Sequence, residues 1–117
     1  MADYSMTMLV CADVARARDF YRDVVQLPLT TDAAPHWVDF DLGGAARLGL
    51  HPSAEHMPVS PGSMSLGFRV PDVDAFVARA RGLGARVVQE PHQQDFGRLA
   101  ILADPDGYAV QVATITS

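Results

Sequence analysis

The stretch Asp13-Val14-Ala15-Arg16-Ala17-Arg18-Asp19-Phe20-Tyr21-Arg22-Asp23-Val24-Val25-Gln26-Leu27-Pro28-Leu29 decides how the rest of the chain is read. Asp13 carries the short carboxylate of a good helix N-cap. After it, Val14, Ala17, Phe20, Tyr21, Val24 and Val25 recur at helical spacing and form one apolar face. Arg16, Asp19, Arg22 and Asp23 fall mostly off that face. Pro28 cannot continue a helix and is expected to end it.

Strand signals lie on both sides. Met6 to Cys11 reads as a strand that runs into the helix, and Leu29 to Asp32 as a short extended piece after it. From Trp37 to Leu42 the residues alternate: Val38, Phe40 and Leu42 point one way, Trp37, Asp39 and Asp41 the other. Gly43-Gly44 is a hairpin turn, and Arg47 to His51 is the returning strand. Pro52 to Gly62 holds three prolines and reads as a linker.

The order then repeats. Ser63 to Val70 is a strand, Asp72 a second N-cap, and Val73, Phe76, Val77, Ala80 and Leu83 a second helical stripe. Arg86 to Gln89, Arg98 to Ala103 and Tyr108 to Ala113 are strands. His92 and Phe96 lie in a polar loop between the first two, and Asp104-Pro105-Asp106-Gly107 turns into the last. Phe20 and Phe76 are separated by the same interval as Leu27 and Leu83. The expected organisation is one domain of two modules, about 5–52 and 63–117, joined by a linker at about 53–62.

Composition narrows the function. The chain has 117 residues, 49% of them hydrophobic and 20% charged, the balance of a soluble globular protein. Its net charge of −5 argues against nucleic acid, and no apolar run is long enough to cross a membrane. Met1 to Ser5 does not read as a secretory signal. Cys11 is the only cysteine, so no internal disulfide can form and a cytoplasmic location is expected. There is no lysine, which removes Schiff-base chemistry, and Glu55 and Glu90 are the only glutamates.

The Asp13 to Leu29 stretch resembles the opening of the vicinal oxygen chelate superfamily, the group of glyoxalases, bleomycin-resistance proteins and extradiol dioxygenases. Phe68-Arg69-Val70-Pro71-Asp72-Val73 resembles its central strand and turn, and Gln89-Glu90-Pro91, Gly97 and Asp104-Pro105-Asp106-Gly107 resemble its ending. The resemblance implies an α+β fold of two βαβββ modules whose curved mixed sheets form an open cup. It also implies a homodimer. Pro28 stands where the family usually has glycine.

Alternation then assigns faces. In the first strand, counting from the resemblance, Thr7, Leu9 and Cys11 should turn toward the helix, and Met6, Met8 and Val10 into the cup. Candidate ligand-binding residues on the cup side are Met6, Met8, Trp37, Asp39, Arg47, His51, Ser65, Arg69 and Gln111. Trp37 suits a planar or cationic ligand. Arg47 and Arg69 suit an anionic group, or for Arg47 an ion pair with Asp39 or Asp41. The resemblance implies a divalent-metal site with one residue from each of four strands. Its positions fall on Met6, Ser65 and Gln111, with His51 the one plausible ligand. Thioether, hydroxyl and neutral amide are poor ligands for such ions, so no metal and no cofactor are expected. No catalytic residue is assigned. The expected function is sequestration of a small organic ligand in a metal-free cup, as in bleomycin-resistance proteins. The alternatives are a glyoxalase-like lyase or isomerase, or a dioxygenase-related enzyme, using His51 or a metal placed elsewhere. A dimeric structural protein with a filled cup is the third reading.

Overall fold

The computed structural model describes residues 1–114. They form two compact units, Met1–Ser60 and the chain from Pro61 onward.

The first unit runs β1 (Met6–Cys11), α1 (Val14–Asp19), a π-helical turn (Phe20–Val24), β2 (Leu29–Ala33), β3 (Trp37–Asp41) and β4 (Arg47–Pro52). Its sheet has the order β1-β4-β3-β2, with β1 parallel to β4 and the other pairs antiparallel. A parallel pair needs a long crossover, supplied here by the helix and the two intervening strands. Leu9, Cys11, Val38, Phe40, Leu48 and Leu50 are buried on the helix-covered face, as alternation requires.

Asp13 caps α1 by accepting the Arg16 N–H at 3.2 Å. The helix then widens: the Val25 N–H reaches back to the Phe20 carbonyl at 3.2 Å. The extra residue in that turn lets the sequence neighbours Phe20 and Tyr21 both point inward. Their rings meet edge to face at 5.0 Å, and Tyr21 continues to Phe40 at 6.3 Å. The helix closes before Pro28, contrary to the sequence expectation. Gln26 turns into the left-handed region at φ 67°, and the Leu27 N–H caps the Tyr21 carbonyl at 3.0 Å.

The second unit repeats the plan with β5 (Ser65–Arg69), α2 (Val73–Gly82), β6 (Arg86–Gln94), β7 (Gly97–Ala103) and β8 (Ala109–Ala113), in the order β5-β8-β7-β6. Asp72 caps α2 through the Ala75 N–H at 3.0 Å. Val73, Val77 and Ala80 are buried against the sheet, while the Arg79 guanidinium lies 5.3 Å over the Phe76 ring.

Two expectations are corrected here. Leu83 is 55% exposed and not part of the apolar stripe, because the helix ends at Gly82 and Leu83 leaves helical geometry. His92 is not in a loop: β6 continues through Gln94, with His92 paired to Leu99. Two bulges in this edge strand accommodate Pro91, which has no N–H to give. Only Asp95 and Phe96 remain as the turn. No helix among the described residues is long and apolar enough to cross a membrane.

The Asp104-Pro105-Asp106-Gly107 turn is held from inside. Asp104 is buried, and its Oδ1 accepts the N–H groups of Asp106 and Tyr108, each at 2.9 Å. Gly107 at φ 92° takes a conformation that a side chain would strain. Asp104→Ala would leave those buried donors unmatched, so urea denaturation should show a loss of about 2–3 kcal/mol. A loss below ~0.5 kcal/mol would mean that the carboxylate does not organise the turn.

Candidate ligand-binding site

In each sheet one face is covered by the helix, and the pleat sends alternate side chains to the other. On the first sheet that open face carries Met6, Met8, Trp37, Asp39, Arg47 and His51. Register sets them in rows: Met6 pairs with Arg47 and Arg47 with Asp41, Met8 with Gly49 and Gly49 with Asp39, and Val10 with His51. On the second sheet Gly67 pairs with Gln111, and Ser65 and Arg69 share its face two residues to either side. The nine expected residues thus fall into two groups, each brought together within its own sheet.

The first group is the more elaborated. Trp37 Nε1 donates to Asp39 Oδ2 at 2.8 Å. The other carboxylate oxygen accepts from the Thr30 hydroxyl, which also lies 3.0 Å from the Asp39 carbonyl. The indole reaches across to β4 and comes to rest over Gly49. A Cβ on Gly49 would collide with Trp37 Cη2 and lie 2.8 Å from Cζ2, with Met6 Sδ at 3.2 Å. Gly49 is buried for that reason, although it lies on the open face. The His51 ring stands edge-on to the indole, 6.4 Å between centroids. Met6 and Met8 remain 39% and 41% exposed beside this cluster.

Electrostatics fix the carboxylate in its charged form. Partial burial works to raise the Asp39 carboxyl, but hydrogen bonds from Thr30, Trp37 and Thr31 and the field of Arg47 outweigh it. The group is held below the ordinary carboxylate range. Arg47 forms an ion pair with Asp41 at 3.3 Å, the pairing its sequence position allowed. His51 Nδ1 faces the Pro52 carbonyl at 2.7 Å, an acceptor that calls for an N–H on that nitrogen and leaves Nε2 as the ring atom turned to other partners. In the second group Ser65 and Arg69 are exposed and Gln111 is half-buried.

The residues at the implied metal positions do not fit a divalent ion. Met6 turns its soft sulfur to the indole and Gly49. Ser65 and Gln111 offer a hydroxyl and a neutral amide, and one nitrogen of His51 is committed to Pro52. Among the described residues no three His, Cys, Asp or Glu side chains are grouped to share an ion. Cys11 is buried, with its Sγ 3.6 Å from the Leu9 carbonyl.

Sequence reasoning missed Thr30 and Gly49. Gly49 carried a usable signal, since a glycine between two strand leucines marks a close approach. Thr30 carried none, because its contact depends on the irregular β2–β3 pairing between Leu29 and Thr31.

Two βαβββ modules with helix-backed mixed sheets define the glyoxalase and bleomycin-resistance class of protein. The glyoxalase-like domain family matches residues 6–113, and the chain belongs to it. It is 28% identical to TnmS3, an antibiotic binding protein from Streptomyces sp. CB03234, with a TM-score of 0.79 over 99% of this chain and 98% of that one. A glyoxalase/bleomycin resistance protein from the same strain is 30% identical, with a TM-score of 0.73 over 96% and 100% of the two chains. The phenazine antibiotic resistance protein EhpR of Enterobacter agglomerans is 26% identical over 119 residues, 95% of this chain and 91% of that protein. The chain is thus similar to ligand-binding proteins of the bleomycin-resistance kind.

The position of Asp39 predicts an acid response. Its folded-state affinity for protons is lowered, so the indole–carboxylate bond is present above the unfolded value and is lost as pH falls through the folded one. Because the His51 ring also stands against the indole, the part of the acid change in emission from Trp37, the only tryptophan, that belongs to Asp39 should lie below the ordinary carboxylate range and be lost in Asp39→Asn. An acid transition unchanged in Asp39→Asn would show that Asp39 is not the controlling group.

Proposed function

We propose that the protein binds and sequesters a planar aromatic antibiotic-like molecule on the open face that carries Trp37. The observation that carries this reading is the tethered indole. The one tryptophan of the chain stands on a half-exposed sheet face, tied at Nε1, with two exposed methionines beside it. An aromatic ring held in place offers stacking area at small entropic cost. Methionine thioethers adapt to different ring outlines. Similarity to an antibiotic binding protein and to a phenazine resistance protein supports the same class of ligand.

Met6, Met8 and Trp37 supply the apolar surface, and His51 Nε2 offers an acceptor to a ligand N–H or O–H. On the second sheet Arg69, Ser65 and Gln111 form a polar group of their own, in which Arg69 suits a carboxylate. The mechanism is removal of free ligand by burial, with no bond made or broken. The working form is a cytoplasmic homodimer, so light scattering at micromolar concentration should give twice the 12.6 kDa chain mass. A single-chain mass would refute the dimer.

Titration with phenazine-1-carboxylate or metal-free bleomycin should quench Trp37 emission saturably and raise the melting temperature. Trp37→Ala should weaken binding at least about tenfold, worth ~1.4 kcal/mol, while the free protein keeps its fold. Unchanged affinity in that variant would remove the indole from the site. Binding of neither probe by the wild type would count against the ligand class.

A further inference from the structure

We propose that Gly49, Asp39 and Thr30 are positioning residues that hold the Trp37 ring in one pose across β4. Ligand affinity is set through them although they need not touch the ligand. The inference rests on the ligand-binding reading for its effect on affinity, but the pose itself is a property of the free protein. Three observations carry it. The first is steric: the indole occupies the space that a Cβ at position 49 would fill, so only glycine leaves the seat empty. The second is the bond from Trp37 Nε1 to Asp39 Oδ2, which fixes the far edge of the ring. The third is that Asp39 is itself anchored, its other oxygen accepting from Thr30 and its charge favoured by Arg47. Seat, tether and anchor come from β4, β3 and β2 in turn, so the pose depends on the register of three strands.

This division of labour reassigns Asp39. Its position on the open face suggests a direct ligand contact, but each of its oxygens already accepts a hydrogen bond within the protein. Its part is to orient the tryptophan. A freely rotating indole would have to be ordered by each incoming ligand, and that ordering cost would come off the binding energy.

Because Trp37 is the only tryptophan, its emission reads the pose directly without a ligand. Asp39→Ala and Gly49→Ala should each raise the acrylamide quenching constant about twofold or more and lower the steady-state anisotropy. Each should also weaken phenazine-1-carboxylate binding about tenfold. Asp39→Asn should restore both, because the amide can accept from the indole and donate to Thr30. A purely structural role for Asp39 would not predict rescue in the anisotropy. Gly49→Ala could disturb the sheet, so the Asp39→Ala and Asp39→Asn pair decides the matter, with melting temperature measured alongside. Wild-type quenching and anisotropy in Asp39→Ala would overturn the positioning role whatever the ligand result. Altered pose in a protein whose wild type binds neither probe would retain the positioning role and sink the ligand-binding reading instead.

Discussion

A single helix can cover only one face of a four-stranded sheet, and both units of this chain are built within that limit. The covered face takes the apolar half of each strand: Leu9, Cys11, Val38, Phe40, Leu48 and Leu50 in the first unit, Val110 and Val112 among others in the second. The other half of each strand is left to some other partner. The pleat makes this division strict, because a shift of one residue would turn every buried side chain outward. Side chains on the open face can vary without cost to the core beneath them. That is how Trp37, Asp39 and His51 can alternate with Val38 and Leu50 and still leave the helix-facing layer closed.

The open face of the first sheet is still not a free surface. The cluster on it is internally satisfied: carboxylate to indole, hydroxyl to carboxylate, guanidinium to Asp41, imidazole to a backbone carbonyl. Polar groups arranged this way gain little from water and present a fixed pattern. The price is a glycine in mid-strand, a residue that weakens a strand in isolation. The indole lying across it covers the bare backbone, which makes Gly49 buried and the weakness local.

Much of this was legible in the sequence. Alternation separates Trp37 and Asp39 from Val38 and Phe40, and alternation together with the resemblance separates Met6 and Met8 from Leu9 and Cys11. The two Asp N-caps and the stripes behind them located both helices. What could not be read depended on pairing between strands distant in sequence. The tether between Trp37 and Asp39 is short-range and follows from alternation, whereas the seat at Gly49 needs the β3–β4 register and the anchor at Thr30 needs the irregular β2–β3 pairing. The π-helical turn was also hidden, since Phe20 and Tyr21 fit the apolar face of an ordinary helix equally well and nothing in their spacing marks the wider turn. Pro91 misled for a general reason: proline argues against a strand, but an edge strand with bulges has room for it.

Met6 ties the fold to the chemistry. The resemblance puts one of its four implied metal positions here, on the open face of the first strand. A thioether there offers a divalent ion little, but it is a good neighbour for an aromatic ring, being polarisable and without a fixed hydrogen-bonding demand. Its sulfur lies beside Gly49, where the indole rests. Met6 thus makes this position part of an apolar surface instead of the metal position that the resemblance implies. Gln111 repeats the argument on the second sheet, where a neutral amide stands at another implied metal position and offers hydrogen-bonding capacity without charge. The side chains that set this face apart from the metal site the resemblance implies are ones that the helix-covered core never meets.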